Sequence, residues 1–344
     1  MRLGILGGGQ LGRMLSLAAA RLGIDCHVYE PADAPAARVS ADWTRARWDD
    51  ADALAAFGAS VDVVTYEWEN VPLAALDALG DVPVRPGRRA LEVAQDRLPE
   101  KDFLSGLGLR TAPYADVPDR AALDAALAEI GAPAILKTRR MGYDGKGQAR
   151  IMSPGDADAA WEAMAGAPAI LEGFVDFSAE VSVIAARSVD GAVSAYDPGA
   201  NVHEGGILRT TTVPADLPAR LRTDAALLAG QVLNALDYVG VVGVELFVTP
   251  GGLVVNEIAP RVHNSGHWTQ LGCAVDQFEQ HVRAVCGLPL GDGARHADVE
   301  MENLIGDDMD RIEAIRAEAG AQVHLYGKAE VRPGRKMGHV NRLR

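Results

Sequence analysis

Two acidic side chains, Glu245 and Glu257, are spaced so that together they could bind a divalent cation. A mostly apolar run leads to Pro-Gly-Gly at 250–252, a combination that predicts a β-hairpin with a tight reversal. If those three residues form the loop, Thr249 faces Leu253, and the same register places Glu245 opposite Glu257. Directly opposed side chains lie roughly 5 Å apart, where two carboxylates repel each other unless they share a hard cation such as Mg²⁺ with substrate phosphates. A surface hairpin with two solvated acids is the alternative.

A polar cluster follows the second of these acids, at a point where a strand would ordinarily end in a simple turn. It contains Arg261, His263, Asn264, Ser265 and His267. Next to a metal site, such side chains predict a pocket for an anion or a substrate.

A second candidate site is a glycine-rich segment flanked by cations. Glycines stand at 142, 145 and 147, with lysines and arginines between 137 and 146. The backbone amides of such a loop, with ammonium groups as point charges, could cover nucleotide phosphates. The spacing fits neither a Walker A loop nor a kinase loop. A basic surface hairpin is the alternative.

The chain begins with a G-x-G-x-x-G pattern at 7–12, between a short apolar strand and an amphipathic stretch. A second strand, predicted at Asp25–Tyr29, leads to Glu30, where a dinucleotide site keeps its ribose acid. The glycines predict a phosphate near the loop without specifying NAD. A tight turn that packs a helix on a sheet is the alternative.

Two further strand ends carry side chains suited to a ligand. A strand predicted over Val61–Thr65 leads to Glu67, which we expect to contact a substrate hydroxyl, because open α/β sheets bind ligands at the carboxyl ends of parallel strands. The apolar pair Phe174-Val175 predicts a slot for adenine, and Glu180 opens the next strand, where it could bind ribose hydroxyls. Ordinary solvated strand ends are the alternative.

Length and composition restrict the class of protein. The 344 residues suffice for two or three domains,. A net charge of −14 argues against a nucleic-acid surface,. No run approaches the ~20 apolar residues of a membrane span, no signal-peptide cleavage pattern is present, and the three cysteines have unrelated spacings,. We therefore expect a cytoplasmic enzyme that binds neither nucleic acid nor membrane.

The last stretch of the chain is basic although the protein is acidic. It carries Lys328, Arg332, Arg335 and Lys336. We expect these cations to bind an anion, and a charged terminal tail is the alternative.

Four strings in the sequence resemble one enzyme family. GGGQLGRM (7–14), GYDGKGQ (142–148), NEIAPRVHNSGHWT (256–269) and EVRPGRKMGH (330–339) resemble the 5-(carboxyamino)imidazole ribonucleotide synthetases of purine biosynthesis, which are ATP-grasp ligases. The resemblance covers nearly the whole chain. It implies an α/β fold in which a Rossmann-like (pre-ATP-grasp) domain over 1–95 precedes an ATP-grasp domain over 96–287, followed by a small β-rich domain over 288–344. The ATP-grasp domain would include a small lid subdomain at about 110–175.

The resemblance also implies the reaction and its residues. The family converts aminoimidazole ribonucleotide, bicarbonate and ATP into the carboxyamino product, ADP and phosphate, with Mg²⁺. The magnesium ligands correspond to Glu245 and Glu257. The ATP contacts correspond to Arg97, Lys137, Gly142, Tyr143, Asp144, Gly145, Lys146, Gly147, Gln148, Glu172, Gly173, Phe174, Val175, Glu180, His203, Asn256 and Glu257. The ribonucleotide contacts correspond to Gly8, Gln10, Leu11, Glu67, Tyr143, Asp144, Lys146, Ser265 and Lys336. The candidate catalytic residues, which would contact bicarbonate and carboxyphosphate, correspond to Arg261, His263, Asn264, Lys328 and Arg335.

Two residues depart from the family pattern. Met141 stands where relatives often carry glycine. Ala259 stands where many ATP-grasp enzymes place a metal-binding asparagine, so we expect water to complete the metal shell. His263 is expected to move protons as a neutral imidazole, with a structural histidine as the alternative. A homodimer is implied by family analogy.

Three other functions compete with a carboxylating ligase. The glycine pattern and Glu30 suggest an NAD(P) oxidoreductase, which leaves the paired acids and the basic loop unexplained. Another ATP-grasp ligase or transformylase could act on a related ribonucleotide. A non-catalytic nucleotide sensor would have little use for the carboxylates and cations.

Overall fold

The computed structural model describes residues 1–142 and 145–344. The N-terminal part is a parallel sheet covered by helices. Its elements are β1 (Arg2–Leu6), α1 (Gln10–Arg21), β2 (Asp25–Tyr29), β3 (Asp42–Thr44), α2 (Ala51–Ala59), β4 (Val63–Tyr66), α3 (Leu73–Asp77) and α4 (Arg88–Ala94). The strand order is β3-β2-β1-β4. Strands β1 and β4 are buried along almost their whole length because both faces of the parallel sheet are covered,.

Two sequence expectations for this part need correction. The strand expected over Val61–Thr65 begins at Val63 and ends at Tyr66. The edge strand β3 was not predicted, because its three residues, one of them exposed Asp42, lack an apolar run,.

The lid is a smaller antiparallel sheet with helices on one side. Its region contains α5 (Arg97–Gly106), β5 (Tyr114–Val117), α6 (Arg120–Ile130), β6 (Ala134–Thr138), β7 (Gln148–Ile151), α7 (Ala157–Ala163) and β8 (Ala169–Gly173). The strand order is β5-β8-β6-β7. Inward side chains such as Leu136, Ile151 and Leu171 form a separate apolar core, so the lid has its own packing.

A long antiparallel sheet forms the body of the molecule. Its elements are β9 (Ala179–Arg187), β10 (Val193–Ala195), β11 (Gly199–Glu204), β12 (Ile207–Val213), α8 (Ala219–Ala235), β13 (Gly240–Thr249), β14 (Gly252–Ala259), α9 (Thr269–Gly272), α10 (Gln277–Val285), β15 (Val299–Ile305), α11 (Ile312–Ala317), β16 (Gln322–Leu325) and β17 (Lys336–Leu343). The order is β14-β13-β9-β11-β12-β15-β17-β16, with β10 beside β9.

Helices cover both faces of the middle of this sheet. Val181 and Val183 of β9 belong to the core that includes α8, whereas Ile184 and Ala186 belong to the core that includes α10. Successive residues of a strand point to opposite faces, so β9 is buried along most of its length.

The strands after residue 288 extend this same sheet. β15 pairs with β12, β17 with β15, and β16 with β17. The basic C-terminal stretch is therefore carried by the sheet that also carries the paired acids. The boundaries expected at residues 95 and 287 stay predictions.

Within the described ranges, the structure has no helix with both the length and the apolar composition that crossing a membrane requires.

Candidate active site

A cleft opens where the start of α5, the end of β14 and the loop after β4 meet. Its walls include Glu69, Arg97, Gly142, Glu257 and Arg261. Arg261 forms an ion pair with Glu69 across it, at 2.8 Å. Residues that the sequence assigned separately to ATP, metal and bicarbonate therefore share one cleft.

The hairpin of β13 and β14 places Glu245 opposite Glu257, as predicted, but the loop and the pairing near it differ from the prediction. Its loop is shorter than expected, because Thr249 faces Gly252. A β-bulge at Asn256 then adds a residue to β14 and restores the offset before the acids are reached,. The predicted partner of Thr249 is wrong, and the pairing of the acids is right because the two shifts cancel.

Side chains from α5 hold the bulged edge of β14. Lys101 Nζ donates to the Asn256 carbonyl at 2.6 Å, and the Glu100 carboxyl accepts from the Ile258 amide at 2.6 Å. Lys101 and Glu100 are 0% and 2% exposed. They satisfy backbone groups on both sides of Glu257, which an edge strand would otherwise leave unpaired.

The two acids of the hairpin have opposite electrostatic surroundings. Burial alone would raise the pKa of Glu257. The Arg97 guanidinium, 2.8 Å away, outweighs burial and lowers that pKa to about 2. Burial and the charge of Glu257 raise the pKa of Glu245 to about 7. The Nε2 atom of His263 lies 3.4 Å from Glu245. Burial and the charge of Arg261 lower the pKa of His263 to about 3, so this imidazole is neutral at pH 7. Such divergent pKa values are typical of functional sites.

A buried ion cluster lies beside the hairpin. Lys137 and Lys101 approach the same oxygen of Glu172, at 2.9 and 3.5 Å. Burial raises the pKa of Glu172, but the two ammonium groups outweigh it and keep that pKa below its ordinary value. Among the described residues, the other oxygen, Oε1, is buried without a hydrogen-bond partner. It is an acceptor that a bound ligand could use.

The predicted nucleotide contacts continue onto neighbouring strands. Glu180 on β9 pairs with His203 on β11 at 2.9 Å. Burial lowers the pKa of His203, but the bond to Glu180 outweighs it and raises the pKa. Phe174, after β8, is 50% exposed. The adenine slot expected at Phe174 and Val175 stays a prediction.

The loop after β14 is fixed more tightly than its polar sequence suggested. The amides of Asn264 and Asn303 exchange hydrogen bonds at 2.9 and 2.8 Å. Ser265 is 1% exposed, and its hydroxyl lies 2.8 Å from His263 Nδ1. The Ser265 hydroxyl therefore helps to orient the imidazole, and the substrate contact expected of Ser265 stays a prediction.

The glycine-rich loop at the start of α1 is filled by the protein's own carboxylates. The Gly8 amide donates to Glu30 at 3.0 Å, and the Gly9 and Gly12 amides donate to Glu67 at 2.9 and 3.2 Å. A dinucleotide phosphate would meet two carboxylates here, which argues against the NAD reading. Glu67 uses both oxygens for these bonds and so caps the start of α1,. Its expected contact with a substrate hydroxyl stays a prediction. The other substrate contacts predicted in this loop are Gln10 and Leu11.

The C-terminal cations approach the cleft unequally. Lys336 lies close enough to lower the pKa of His263 after the larger effects of burial and Arg261. Lys328 donates to the Lys336 carbonyl at 2.6 Å. Arg335 donates to the Glu330 carbonyl of its own loop at 3.0 Å. Lys328 and Lys336 thus belong to the side of the site that carries His263.

The predicted nucleotide cover is described in part. Tyr143 and Asp144, expected to contact ATP and the ribonucleotide, lie outside the described residues. Gly145 approaches the turn at 205–206, since a Cβ on it would lie 3.2 Å from Gly206. Gly145 therefore lies beside the turn between β11 and β12. Lys146, Gly147 and Gln148 belong to the same predicted cover.

The sequence analysis missed Glu100 and Lys101. Their spacing could have identified them. Arg97, Glu100, Lys101 and Leu104 occupy positions i, i+3, i+4 and i+7 of α5, which lie on one face of a helix. Leu104 is 0% exposed. Charged residues on a buried face need partners, and that pattern indicates a functional cluster.

Comparison with known protein families divides the chain into three matches. The ribonucleotide synthetase preATP-grasp domain matches residues 1–95, the ATP-grasp domain matches 102–278, and the phosphoribosylaminoimidazole carboxylase C-terminal domain matches 300–344. These matches confirm the fold class predicted from the sequence.

Individual proteins are similar over the whole chain. N5-carboxyaminoimidazole ribonucleotide synthase of Brucella melitensis is 54% identical, over 99% of this chain and 96% of that protein. The crystal structure of an ADP complex of N5-carboxyaminoimidazole ribonucleotide synthetase superposes with a TM-score of 0.96 at 40% identity, covering 100% of this chain and 92% of that one. The Aspergillus clavatus enzyme in complex with ADP and 5-aminoimidazole ribonucleotide gives a TM-score of 0.93 at 31% identity, covering 100% and 93%.

Proposed function

The chain belongs to the N5-carboxyaminoimidazole ribonucleotide synthase family, and we propose that it performs the reaction for which these relatives are named. It carboxylates the amine of 5-aminoimidazole ribonucleotide in purine biosynthesis, using ATP. Bicarbonate is the proposed carbon source. A cytoplasmic homodimer is the proposed form of the enzyme, by analogy with the family. The observation that carries the proposal is the facing pair Glu245 and Glu257, placed among cations and a neutral histidine.

The hairpin provides a donor set that fits Mg²⁺. Two carboxylates face each other, and Asn256 Oδ1 is buried with no hydrogen-bond partner in the described part of the chain. Hard cations prefer such oxygen ligands. No cluster of three or more acidic, histidine or cysteine side chains suited to a metal occurs among the described residues, so ATP oxygens and water would complete the shell. When bound, the ion would neutralise charge on the transferring phosphoryl group.

The rest of the cleft is suited to hold ATP. Arg97 and Lys137 place positive charge beside the acids, where phosphates would lie. Glu180, paired with His203, is the proposed contact for ribose hydroxyls. The half-exposed ring of Phe174 would cover adenine.

The proposed chemistry begins with activation of bicarbonate. Because bicarbonate is a poor electrophile, one of its oxygens must first attack the γ-phosphorus of ATP, giving carboxyphosphate and ADP. This step brings two anions together, and only fixed cations could hold them in line. Arg261, which can bind carboxylate oxygens with two parallel bonds, is proposed for this task with Lys328 and Arg335.

Carboxyl transfer to the amine then needs a proton acceptor. Attack of the amine nitrogen on the carboxyl carbon, directly or after CO₂ leaves carboxyphosphate, forms the C–N bond and releases phosphate. The nitrogen must lose a proton during this step. His263, which lines the cleft and is neutral at pH 7, is the proposed acceptor,. Asn264 would help to position the loop through Asn303.

An ADP-release assay with and without 5-aminoimidazole ribonucleotide and bicarbonate tests the proposal. We expect release to require both, and labelled bicarbonate to enter the product. Incorporation of labelled formate in place of bicarbonate would assign the chain to a transformylase reaction and overturn the proposal.

A further inference from the structure

A buried glutamine on α10 bonds the backbone of the loop that carries His263. The Oε1 atom of Gln277 accepts the His263 N–H at 2.9 Å, and its Nε2 atom donates to the His263 carbonyl at 2.7 Å. The amide thus pairs with one residue much as a neighbouring β-strand would. Gln277 is 0% exposed, so water does not compete for these bonds.

The orientation of this amide is itself fixed. Its Nε2 atom also donates to His267 Nδ1 at 2.9 Å. On the other side, a Cβ at Gly266 would lie 2.6 Å from Gln277 Oε1. Because backbone and a second histidine confine it, the Gln277 amide cannot rotate without breaking several contacts.

The imidazole that this backbone carries has little freedom of its own. A Cβ at Gly243 of β13 would lie 2.6 Å from His263 Cβ, so the side chain rests against the strand. Its Nδ1 atom lies 2.8 Å from the Ser265 hydroxyl, and its Nε2 atom lies 3.4 Å from Glu245. The position of the ring therefore depends chiefly on the backbone of His263.

We propose that Gln277 is a positioning residue whose side-chain amide fixes the backbone of His263 and thereby sets this imidazole against Glu245. The inference rests on the proposed function, in which His263 accepts a proton during carboxyl transfer. Gln277 touches no reacting atom and acts through His263.

The same helix supplies a matched control. Gln280, one helical turn further along α10, is also 0% exposed. It exchanges the same pair of bonds with Gly291, at 2.9 and 2.8 Å. Gly291 lies in the loop that precedes β15, outside the walls of the cleft. Loss of either amide leaves one backbone N–H unpaired, whereas each carbonyl keeps a second donor, the Gly266 N–H for His263 and the Ser194 hydroxyl for Gly291,. Loss of Gln277 also removes the bond to His267, so its structural cost should be somewhat larger.

The test compares Gln277→Met with Gln280→Met. We expect the melting temperature to fall in both variants, by somewhat more in Gln277→Met. We expect kcat to fall about tenfold or more in Gln277→Met alone, with little change in the KM for ATP, since a misplacement of ~1 Å can cost up to 100-fold in rate. Equal kcat values in two folded variants, with the wild type active, would overturn this inference and leave the proposed function standing.

A second variant covers the case in which Gln277→Met does not fold. Gln277→Glu keeps the shape and the acceptor oxygen but loses the donor when ionised. The pKa of a buried carboxyl is raised, so the kcat of this variant relative to wild type should recover as pH falls and the protonated carboxyl donates to His263. A ratio that stays low at every pH would overturn the inference.

A spectroscopic measurement separates this inference from the proposed function. In protein labelled with ¹⁵N-histidine, the His263 imidazole signals, assigned with His263→Asn, should shift or broaden in Gln277→Met and stay unchanged in Gln280→Met. This result would support positioning even if ADP release did not depend on bicarbonate. Unchanged signals in both variants would contradict it.

Discussion

The glycine-rich loop before α1 and the hairpin of β13 and β14 both bring carboxylates to a suspected ligand site, but they differ in how those charges are neutralised. In the loop, Glu30 and Glu67 accept bonds from backbone amides that a phosphate would otherwise use. In the hairpin, Glu257 is paired with a cation, whereas Glu245 faces a neutral histidine. The carboxylates of the loop are thus paired with the protein's own backbone amides, whereas Glu245 of the hairpin lies beside an uncharged imidazole.

This difference shows which motif can act on a ligand. A helix N-terminus attracts any anion, and here the chain supplies its own. Charges that lack full compensation favour a metal or a phosphate, because burying such charges is costly without a partner. The same residue types therefore stabilise the fold in one region and, in the proposed function, bind a ligand in the other.

Glu257→Gln, which removes the charge of one hairpin acid, should have the largest effect on activity. We expect ADP release to fall by at least about 100-fold, because neutralising phosphoryl charge through a metal contributes several kcal/mol. A steady-state assay at saturating Mg²⁺ measures the effect, and circular dichroism checks that the fold is kept. Turnover close to that of wild type would remove Glu257 from the proposed metal site.

The pH dependence of stability tests the electrostatics under the hairpin. Burial and the nearby charge of Glu257 raise the pKa of Glu100 from 4.5 to about 8. A raised carboxyl pKa means that the folded state holds a proton which the unfolded state releases. The stabilisation is therefore complete below the unfolded pKa and is lost as pH rises through the folded pKa.

We expect the stability of wild type relative to Glu100→Gln to fall by about 3.5 kcal/mol as pH rises from about 5 to 8. Urea unfolding at several pH values, without metal or nucleotide, measures this difference. Parallel curves for the two proteins would show that Glu100 does not titrate in this range.

Glu67→Gln tests whether the carboxylate in the glycine-rich loop stabilises the fold. The variant can accept one of the two amide bonds and presents an NH₂ group to the other amide. We expect a loss of about 1 kcal/mol of unfolding free energy, with turnover nearly unchanged. Denaturant unfolding and steady-state kinetics measure the two quantities. A raised KM for the ribonucleotide at unchanged stability would instead make Glu67 a substrate contact, as its sequence position suggested.

Met141→Gly should have the smallest effect. Met141 adopts a φ of 62° at the start of the glycine-rich cover, a left-handed conformation that costs a side chain about 1 kcal/mol or more. Glycine removes this strain but gives the unfolded chain more freedom, so we expect a net stabilisation of about 0.5 kcal/mol. Thermal unfolding measures it, and a clear loss of stability would show that the Met141 side chain makes a contact worth more than the strain.

Local patterns in the sequence determined much of the fold and the site. The strand at Asp25–Tyr29 was predicted with the bounds observed, because alternation and turn residues act over a few positions. The facing acids also followed from a hairpin signal. The predicted register of the acids is correct because the shift from a shorter loop and the shift from a bulge at Asn256 cancel. No local sequence pattern predicts that bulge.

Only the tertiary structure determined which polar groups have hydrogen-bond partners within the protein. Glu67 reaches Gly9 across 58 residues of sequence, and Lys101 reaches the Asn256 carbonyl across 155. Gln277 and Gln280 look alike in the sequence, yet only Gln277 holds His263. A sequence records which donors and acceptors a chain contains. Their pairing depends on which segments the sheets and helices bring together, because a hydrogen bond requires its two atoms to lie within about 3 Å.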